Sequence, residues 1–250
     1  MPTNGGHGRG AVPRLAFLYP AGWGDQEYYL FAEALDPAPV VFVLSTRLYG
    51  GEADHVVEDL LKSGDPGLLA EGARKAALLR PDALIWACTS ASFVGGHDWA
   101  LSQVAAMEAA GPCRASSTSL AFAEGLQALG IARVAIMATY PAAVAEHFAG
   151  FLEATGSRIA KLHCLEVMSG WDAGQAGDDA LRAAVRAADH GDAGAVLVPD
   201  TAVATLHLLA QLEEELGKPV LSANQVSLWK ALRLAGCAAR PVGYGALFAC

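Results

Sequence analysis

A cysteine and an aspartate stand at equivalent places in two short segments of the chain. The segment WACTSASF carries Cys88 directly before Thr89, and the segment VPDTAVAT carries Asp200 directly before Thr201. Both follow an apolar run of strand length, so each side chain is expected where a strand ends and a helix begins. A thiol and a carboxyl group that share one site can exchange protons with a substrate, or supply a nucleophile and a proton.

Each of these two side chains also has an ordinary structural interpretation. Cys88 could be an inert buried thiol, although a strand end beside a helix start lowers the pKa of a cysteine and favours a chemical role. Asp200 could be a helix N-cap, which is a common use of aspartate at such a corner. The residues alone leave both interpretations open.

The elements that must position these side chains alternate between buried strands and amphipathic helices. Alanine- and leucine-rich stretches with helical spacing lie between most of the apolar runs. This alternation predicts an α/β fold with parallel sheets, in which ligands bind at the carboxyl ends of the strands. The apolar runs are RLAFLY from 14, PVVFVLS from 39, DALIWAC from 82, CRASS from 113, RVAIMA from 133, KLHCLEV from 161, GAVLVP from 194 and PVLSA from 219.

The two halves of the chain also resemble each other. In the same order, RLAFLYP corresponds to RVAIMATYP, PDALIWACTS to AGAVLVPDTA, and GPCRASSTSLAFAEGLQALG to GKPVLSANQVSLWKALRLAG. Any pair of strand–turn–helix units shares some of this pattern, but three pairs in one order favour a duplicated unit and two similar lobes. If the lobes face each other, Cys88 and Asp200 meet from opposite sides of one cleft.

Composition argues against several classes of function. The 250 residues have a formal net charge of −9 and no basic stretch, which argues against a nucleic-acid partner. The longest apolar runs are too short to span a bilayer, so no membrane association is expected. The first residues lack the apolar core of a signal peptide, so we expect a flexible leader over 1–13.

The cysteines and histidines are too dispersed for a metal site. The chain has 5 cysteines without CxxC spacing and 7 histidines without an HxxxH or HExxH motif. This pattern is typical of reduced thiols in a cytoplasmic protein and predicts no metal. The leucine-rich helices weakly suggest self-association, so a homo-oligomer is a further expectation.

Four stretches of the chain resemble one known family. CTSASF, ATYPAAV, LEEELGKPVLSANQVSLWKALRLAG and ARPVGYGALF are similar to the maleate isomerase and arylmalonate decarboxylase family, within the aspartate/glutamate racemase superfamily. The similarity covers nearly the whole chain from about Arg14. It implies two pseudo-symmetric lobes, each a parallel four-stranded sheet flanked by helices, with the active site in the cleft between them. The expected N-terminal lobe comprises 14–117 and about 228–250, and the C-terminal lobe comprises 118–227.

The resemblance also implies a kind of chemistry. Members of the family form an enolate-like intermediate on a small carboxylic or dicarboxylic acid without a cofactor. Maleate isomerases and racemases use two cysteines, one per lobe, whereas arylmalonate decarboxylases keep only the second and have glycine at the first position. This chain keeps the first cysteine as Cys88, and Asp200 stands in place of the second, preceded by Pro199 instead of the usual serine.

Candidate substrate-binding residues follow from the same resemblance. Thr89 and Ser90 match a threonine–serine pair that holds a substrate carboxylate, and helix capping is their alternative role. Tyr140 matches a tyrosine that donates to the same carboxylate, and its alternative role is that of a buried packing aromatic. Thr201, which follows Asp200, completes this part of the expected binding set.

The loop after the first apolar run departs from the family pattern. Maleate isomerases carry an asparagine-containing PSSN loop here, whereas this chain reads YPAGWGDQE and includes Pro20 and Trp23. Trp171, in SGWDAG, falls in another pocket segment of the family. Two tryptophans near the cleft indicate a substrate with an apolar or aromatic group, with ordinary loop packing as the alternative. His97 and His207 are expected to be packing or surface residues.

Three functions remain open at this point. The leading one is cis–trans isomerisation of a maleate-like acid, in which the Cys88 thiolate adds to the double bond and a protonated Asp200 replaces the second cysteine. The second is decarboxylation of a 2-substituted malonate, in which Cys88 protonates the intermediate from the lobe opposite the usual donor and gives the mirror product. Racemisation is a variant of that chemistry. The third is a carboxylate-binding protein without catalysis.

Overall fold

Two parallel sheets of four strands form the framework of the protein in a computed structural model that describes residues 12–20, 23–111 and 113–250. In each sheet the strand that comes second in the chain lies at one edge, beside the first. The third and fourth strands follow on the other side of the first. The first sheet contains β1 (Arg14–Pro20), β2 (Val40–Thr46), β3 (Ala83–Trp86) and β4 (Arg114–Ser117). The second contains β5 (Arg133–Ala138), β6 (Arg158–Cys164), β7 (Ala195–Val198) and β8 (Val220–Ser222). The predicted α/β class with two four-stranded parallel sheets is confirmed.

Helices connect successive strands and flank the sheets. They are α1 (Gln26–Glu33), α2 (Val57–Ser63), α3 (Pro66–Ala77), α4 (Thr89–Phe93), α5 (Gly96–Ala110), α6 (Thr118–Leu129), α7 (Ala142–Ala154), α8 (Gly170–Gly174), α9 (Asp178–Ala188), α10 (Leu209–Leu216) and α11 (Ala223–Leu234). Short 3-10 helices span Leu206–Leu208 and Ala246–Ala249. Within the described ranges, none of the helices combines the length and the apolar character needed to cross a membrane.

The third strand of each sheet is buried along its whole length. All residues of β3 (ALIW) and of β7 (AVLV) are buried, whereas the edge strands β2 and β6 are mostly half-buried. Continuous apolar strands of this kind are typical of parallel sheets that are covered on both faces. The loops that leave β3 and β7 therefore start from fully buried strands.

The two chemically different corners occupy equivalent places in the fold. Cys88 lies two residues beyond the end of β3, and Asp200 lies two residues beyond the end of β7. Each of these strands is third in chain order and third in spatial order within its own sheet. The duplication suggested by the sequence therefore extends to the architecture.

The last helix of each half crosses toward the other half. The helix α11 follows β8 of the second sheet but packs against β3 and β4 of the first sheet. The helix α6 follows β4, and its Gly125 faces Leu221 of β8 closely. The two helices contact each other, and the hydroxyls of Thr118 and Ser227 lie 2.7 Å apart.

The division of the chain into lobes stays a prediction. The helix α11 (Ala223–Leu234) runs without a break across the expected boundary between residues 227 and 228. Residues 1–11 of the expected leader lie outside the described residues.

A buried polar network joins the first half to the loop that follows β7. The carboxylate of Glu27, on α1, accepts hydrogen bonds from the backbone N–H of Leu206 at 2.6 Å and from Nδ2 of Asn224 at 2.8 Å. The side chain of Asn224 also donates to the carbonyl of Thr201 at 3.0 Å and accepts from the hydroxyl of Tyr28 at 2.9 Å. These bonds hold the segment that carries Asp200 against the first half.

Burial makes the charge of Glu27 costly. Removal from water raises the pKa of this carboxyl from 4.5 to about 7, although the hydrogen bonds from Asn224 and the backbone oppose the shift. The folded protein therefore binds this proton more tightly than the unfolded chain does, and stability falls as the pH rises from about 4.5 to 7.

We expect the Glu27→Gln variant to lose this pH dependence. In the wild type, Glu27 should lower the free energy of unfolding by about 2 kcal/mol between pH 5.5 and 8. In the variant the free energy of unfolding should not fall in this way, because an amide has no proton to lose between pH 5.5 and 8. Urea unfolding at both pH values measures the difference. The matched control is Glu33→Gln, an exposed position on the same helix, which should keep the wild-type slope. Equal slopes in all three proteins would contradict the assignment.

Candidate active site

A cavity of about 40 Å³ lies at the carboxyl ends of the strands, between the two halves of the fold. From the first half it is lined by Tyr19, Pro20, Trp23, Leu48, Asp54, His55, Leu60, Cys88 and Ser90. From the second half it is lined by Gly170, Asp200, Thr201 and Ala202. Cys88 and Asp200 thus face one small space from opposite sides.

Cys88 joins β3 to α4 and is almost fully buried. It caps α4 in an extended conformation with φ of −142°, and its Sγ lies 3.7 Å from the Ser90 hydroxyl. Burial raises the pKa of the thiol to about 12, and the carboxyls of Asp54 and Asp200 add to the rise. The thiol therefore carries its proton at neutral pH. The expectation of a lowered pKa from the helix start is wrong, because removal from water outweighs the short α4.

Asp200 is held by two hydrogen bonds and lies in the cavity wall. Its Oδ1 accepts a hydrogen bond from the backbone N–H of Ala202 at 2.9 Å, and its Oδ2 accepts one from the hydroxyl of Thr139. The helix N-cap interpretation from the sequence is wrong, because residues 201–205 form a turn and a loop and the next helical segment begins at Leu206. The bond to Ala202 instead stabilises a turn, and the carboxyl group lines the cavity.

The three candidate hydroxyl groups lie at different depths. Ser90 and Thr201 line the cavity directly. Thr89 is 1% exposed and lies just behind, and its Oγ1 has no hydrogen-bond partner within the described part of the chain. Because a buried hydroxyl without a partner is costly, it is a natural contact for a ligand oxygen.

Tyr140 lies behind the residues that line the cavity. Its hydroxyl donates to the carbonyl of Pro199, directly before Asp200, and its ring meets that of His55 edge-on with centroids 4.8 Å apart. The carboxylate contact inferred from the resemblance requires this hydroxyl to exchange partners.

The two candidate tryptophans separate an inner from an outer space. Trp23 lines the inner cavity and contacts Trp171 in a tilted arrangement, with ring centroids 4.9 Å apart and an interplanar angle of 58°. Trp171 is 60% exposed and lines an adjacent outer cavity of about 630 Å³, to which Asp54 and Leu48 also belong. Pro20, at the end of β1, belongs to the inner wall.

The position of Trp23 depends on the glycine that follows it. Gly24 has a φ of +94°, and a side chain there would collide with the carbonyl oxygen of Thr201. Only glycine allows this loop to approach the strand end that bears Asp200 so closely.

The cavity residues that sequence reasoning missed include an acid and a histidine, Asp54 and His55. They lie between β2 and α2 and are 6% and 5% exposed. Burial is the main cause that raises the pKa of Asp54. The available signal was an adjacent acid and histidine in a loop that follows the carboxyl end of a strand.

Comparison with known proteins gives consistent matches. The family model for arylmalonate decarboxylase matches residues 57–248. An arylmalonate decarboxylase of Bordetella bronchiseptica is 38% identical over 169 residues, which cover 64% of this chain and 68% of the relative. A maleate isomerase of Nocardia farcinica (strain IFM 10152) is 33% identical over 159 residues, which cover 61% of this chain and 63% of the relative.

Solved structures of both kinds of enzyme share the fold. A liganded arylmalonate decarboxylase double mutant, with glycine changed to cysteine and cysteine changed to serine, matches with a TM-score of 0.85 and 25% identity over 95% of this chain and 99% of that one. A cysteine-to-serine mutant of the Nocardia farcinica maleate cis–trans isomerase, with a covalently bound succinylcysteine intermediate, matches with a TM-score of 0.84 and 26% identity over 95% and 98%.

The hydroxyls of Thr89 and Thr139 should contribute unequally to stability. We expect Thr89→Val to change the free energy of unfolding by less than about 0.5 kcal/mol, because no bond is lost. The matched Thr139→Val should cost about 1–3 kcal/mol, because it deprives the buried Asp200 carboxylate of a donor. Urea unfolding measures both values. An equal cost at the two positions would show that the Thr89 hydroxyl serves the fold and is not free for a ligand.

Proposed function

The chain belongs to the arylmalonate decarboxylase family, and on that premise we propose that it is a cofactor-free enzyme that forms an enolate-type intermediate on a small carboxylic acid. The observation that carries this proposal is that Cys88 and Asp200, from equivalent strand ends, line one cavity. A substrate held there is within reach of a thiol from one half and a carboxyl group from the other.

A substrate carboxylate fits against the start of α4. Ser90 lines the cavity, and the hydroxyl of Thr89 behind it has no partner among the described residues. Donors placed there would stabilise the negative charge that moves onto the carboxylate as the enolate forms.

The reaction we favour is cis–trans isomerisation of a maleate-like acid. The Cys88 thiol gives its proton to a base in the cavity as Sγ forms a bond to one alkene carbon, and the π electron pair moves into the carboxylate on the other carbon as an enediolate. The bond that was double rotates, the enediolate pair re-forms the double bond, the C–S bond breaks, and sulfur takes the proton back. The covalent succinylcysteine in the related isomerase and the small size of the cavity both support this choice.

The charge of the cavity narrows the choice of substrate. Asp54 and Asp200 line it, and the lining described for it contains no lysine or arginine. A dianion would meet two carboxyl groups in a poorly hydrated space, which is unfavourable while both are ionised. We therefore expect tighter binding of monoanionic acids, such as half-esters or half-amides, than of dianions.

Decarboxylation of a 2-substituted malonate is the second candidate. It is favoured by the protonated thiol of Cys88, whose pKa of about 12 suits a donor that delivers its proton to an enediolate carbon. Carbon dioxide leaves with the C–C bond broken, its electron pair stays as the enediolate, and Sγ–H then protonates the carbon. Because Cys88 belongs to the half opposite the donor expected from the family, the product should have the mirror configuration.

Proton NMR in D2O distinguishes these reactions. We expect the wild type to convert a cis acid from a panel of maleate, its monoesters and alkyl maleates into the trans isomer. We expect Cys88→Ala to lose at least about 1000-fold in rate, because the nucleophile is removed. The control is Cys164→Ala, a half-buried thiol at the end of β6 outside the cavity, which should retain activity.

Other outcomes identify the alternatives. Carbon dioxide loss from phenylmalonate or methylphenylmalonate, with deuterium at the alpha carbon, would establish the decarboxylase. Saturable binding without turnover of any acid would leave a non-catalytic binding protein. Full activity of Cys88→Ala would contradict every reaction that relies on this thiol.

A further inference from the structure

The dipeptide Asp54–His55 is fixed in the cavity wall by the opposite half of the fold. The backbone N–H of His55 donates to the carbonyl of Met168 at 3.0 Å, and its Nδ1 lies 2.8 Å from the carbonyl of Val167. The carboxylate of Asp54 accepts a hydrogen bond from the backbone N–H of Gly170 at 2.9 Å. Both side chains are nearly fully buried, so their orientation is set by these contacts.

The contact with Val167 determines the state of the imidazole ring. A carbonyl oxygen only accepts hydrogen bonds, so Nδ1 of His55 must carry the hydrogen. In the neutral ring Nε2 then has a free electron pair. In residues 12–20, 23–111 and 113–250 this nitrogen has no hydrogen-bond partner, and Oδ1 of Asp54 lies 4.0 Å away.

The thiol and the imidazole share a small space. His55, Asp54 and Cys88 all line the cavity of about 40 Å³. The reaction favoured above needs sulfur as a thiolate, whereas burial raises the pKa of Cys88 to about 12. A neutral base that faces the same cavity could take the proton of the thiol and so remove this obstacle.

We propose that His55 is the general base of this site and that Asp54 stabilises the imidazolium that forms when His55 takes the proton of Cys88. The inference rests on the proposed function, because it supplies the base that thiol addition requires. Nε2 uses its electron pair to bind the Sγ proton while sulfur forms its bond to the alkene carbon. When the C–S bond breaks, sulfur recovers its electron pair and takes the same proton back from Nε2.

The charges around His55 come from several elements. Several titratable groups face His55, so any of them could contribute to a pH dependence of the reaction. They are Asp54 of its own loop, Tyr19 at the end of β1, Cys88 after β3, Tyr140 after β5 and Asp200 after β7. The experiment therefore compares variants at a single pH before it compares pH profiles.

The test measures alkylation of Cys88 by iodoacetamide at pH 7.5 without substrate, resolved by peptide mass spectrometry. We expect His55→Asn to slow it at least about tenfold, because the imidazole no longer accepts the proton. The amide of asparagine can still donate to Val167, which preserves the loop. Cys164 in the same sample is the internal standard, and His97→Asn, outside the cavity, is the matched control. Neither should change.

The Asp54→Asn variant shows whether Asp54 stabilises the imidazolium or repels the thiolate, because the two roles change the alkylation rate of Cys88 in opposite directions. If Asp54 stabilises the imidazolium, this variant also slows alkylation of Cys88, which supports the proposal. If Asp54 only repels the thiolate, alkylation becomes faster, and its assigned part is overturned. An unchanged rate in His55→Asn, or a Cys88 that does not react in the wild type while Cys164 does, would overturn the role of His55. Because asparagine still accepts from Gly170, this variant carries the test if His55→Asn does not fold.

The same variants separate this proposal from the proposed reaction. Labelling of Cys88 that depends on His55, with no turnover of any acid, would uphold the base and reject the reaction. Turnover that persists in His55→Asn, together with unchanged labelling, would uphold the reaction and reject the base. If both the reaction and the base are correct, kcat of His55→Asn should fall about 100-fold or more.

Discussion

The buried hydrogen bonds of Glu27 and Asn224 hold together the two halves of the site. The loop after β7 has few regular bonds of its own, yet it must present Asp200 within reach of Cys88. Glu27 and Asn224 bind the backbone of that loop at Leu206 and Thr201. A carboxylate kept in this apolar setting costs free energy, and the hydrogen bonds that it accepts offset part of that cost. Precise placement of the loop is thus obtained at the expense of stability.

Most of the framework could be predicted from the sequence. The predicted runs coincide with the eight strands in the described residues, and for all but β4, which reads RASS, this follows because buried parallel strands need apolar side chains. The start of the edge strand β6 was misplaced, since the strand begins at Arg158 and not at 161. A half-exposed strand mixes polar and apolar residues, so its start does not coincide with the start of an apolar run. The duplication also located Cys88 and Asp200 at matching corners, because the repeated segments and their order can be read directly from the chain.

The remaining features of the site depend on contacts that no local pattern records. Asp54 and His55 are fixed by the backbone of residues more than a hundred positions away. The sequence placed Trp171 and Trp23 near the same cleft, and their rings are in contact, but Trp171 lies on the solvent side. The state of Cys88 was misjudged for a similar reason: a helix start is visible in the sequence, whereas the depth of burial is a property of the assembled halves.

The contact between the last helices of the two halves has a consequence for how the molecule unfolds. The helix α11 follows the second sheet but packs against β3 and β4 of the first, and it also contacts α6. Separation of the halves would therefore expose apolar surface that these helices bury. Because the halves are interlocked in this way, they should unfold in a single cooperative transition.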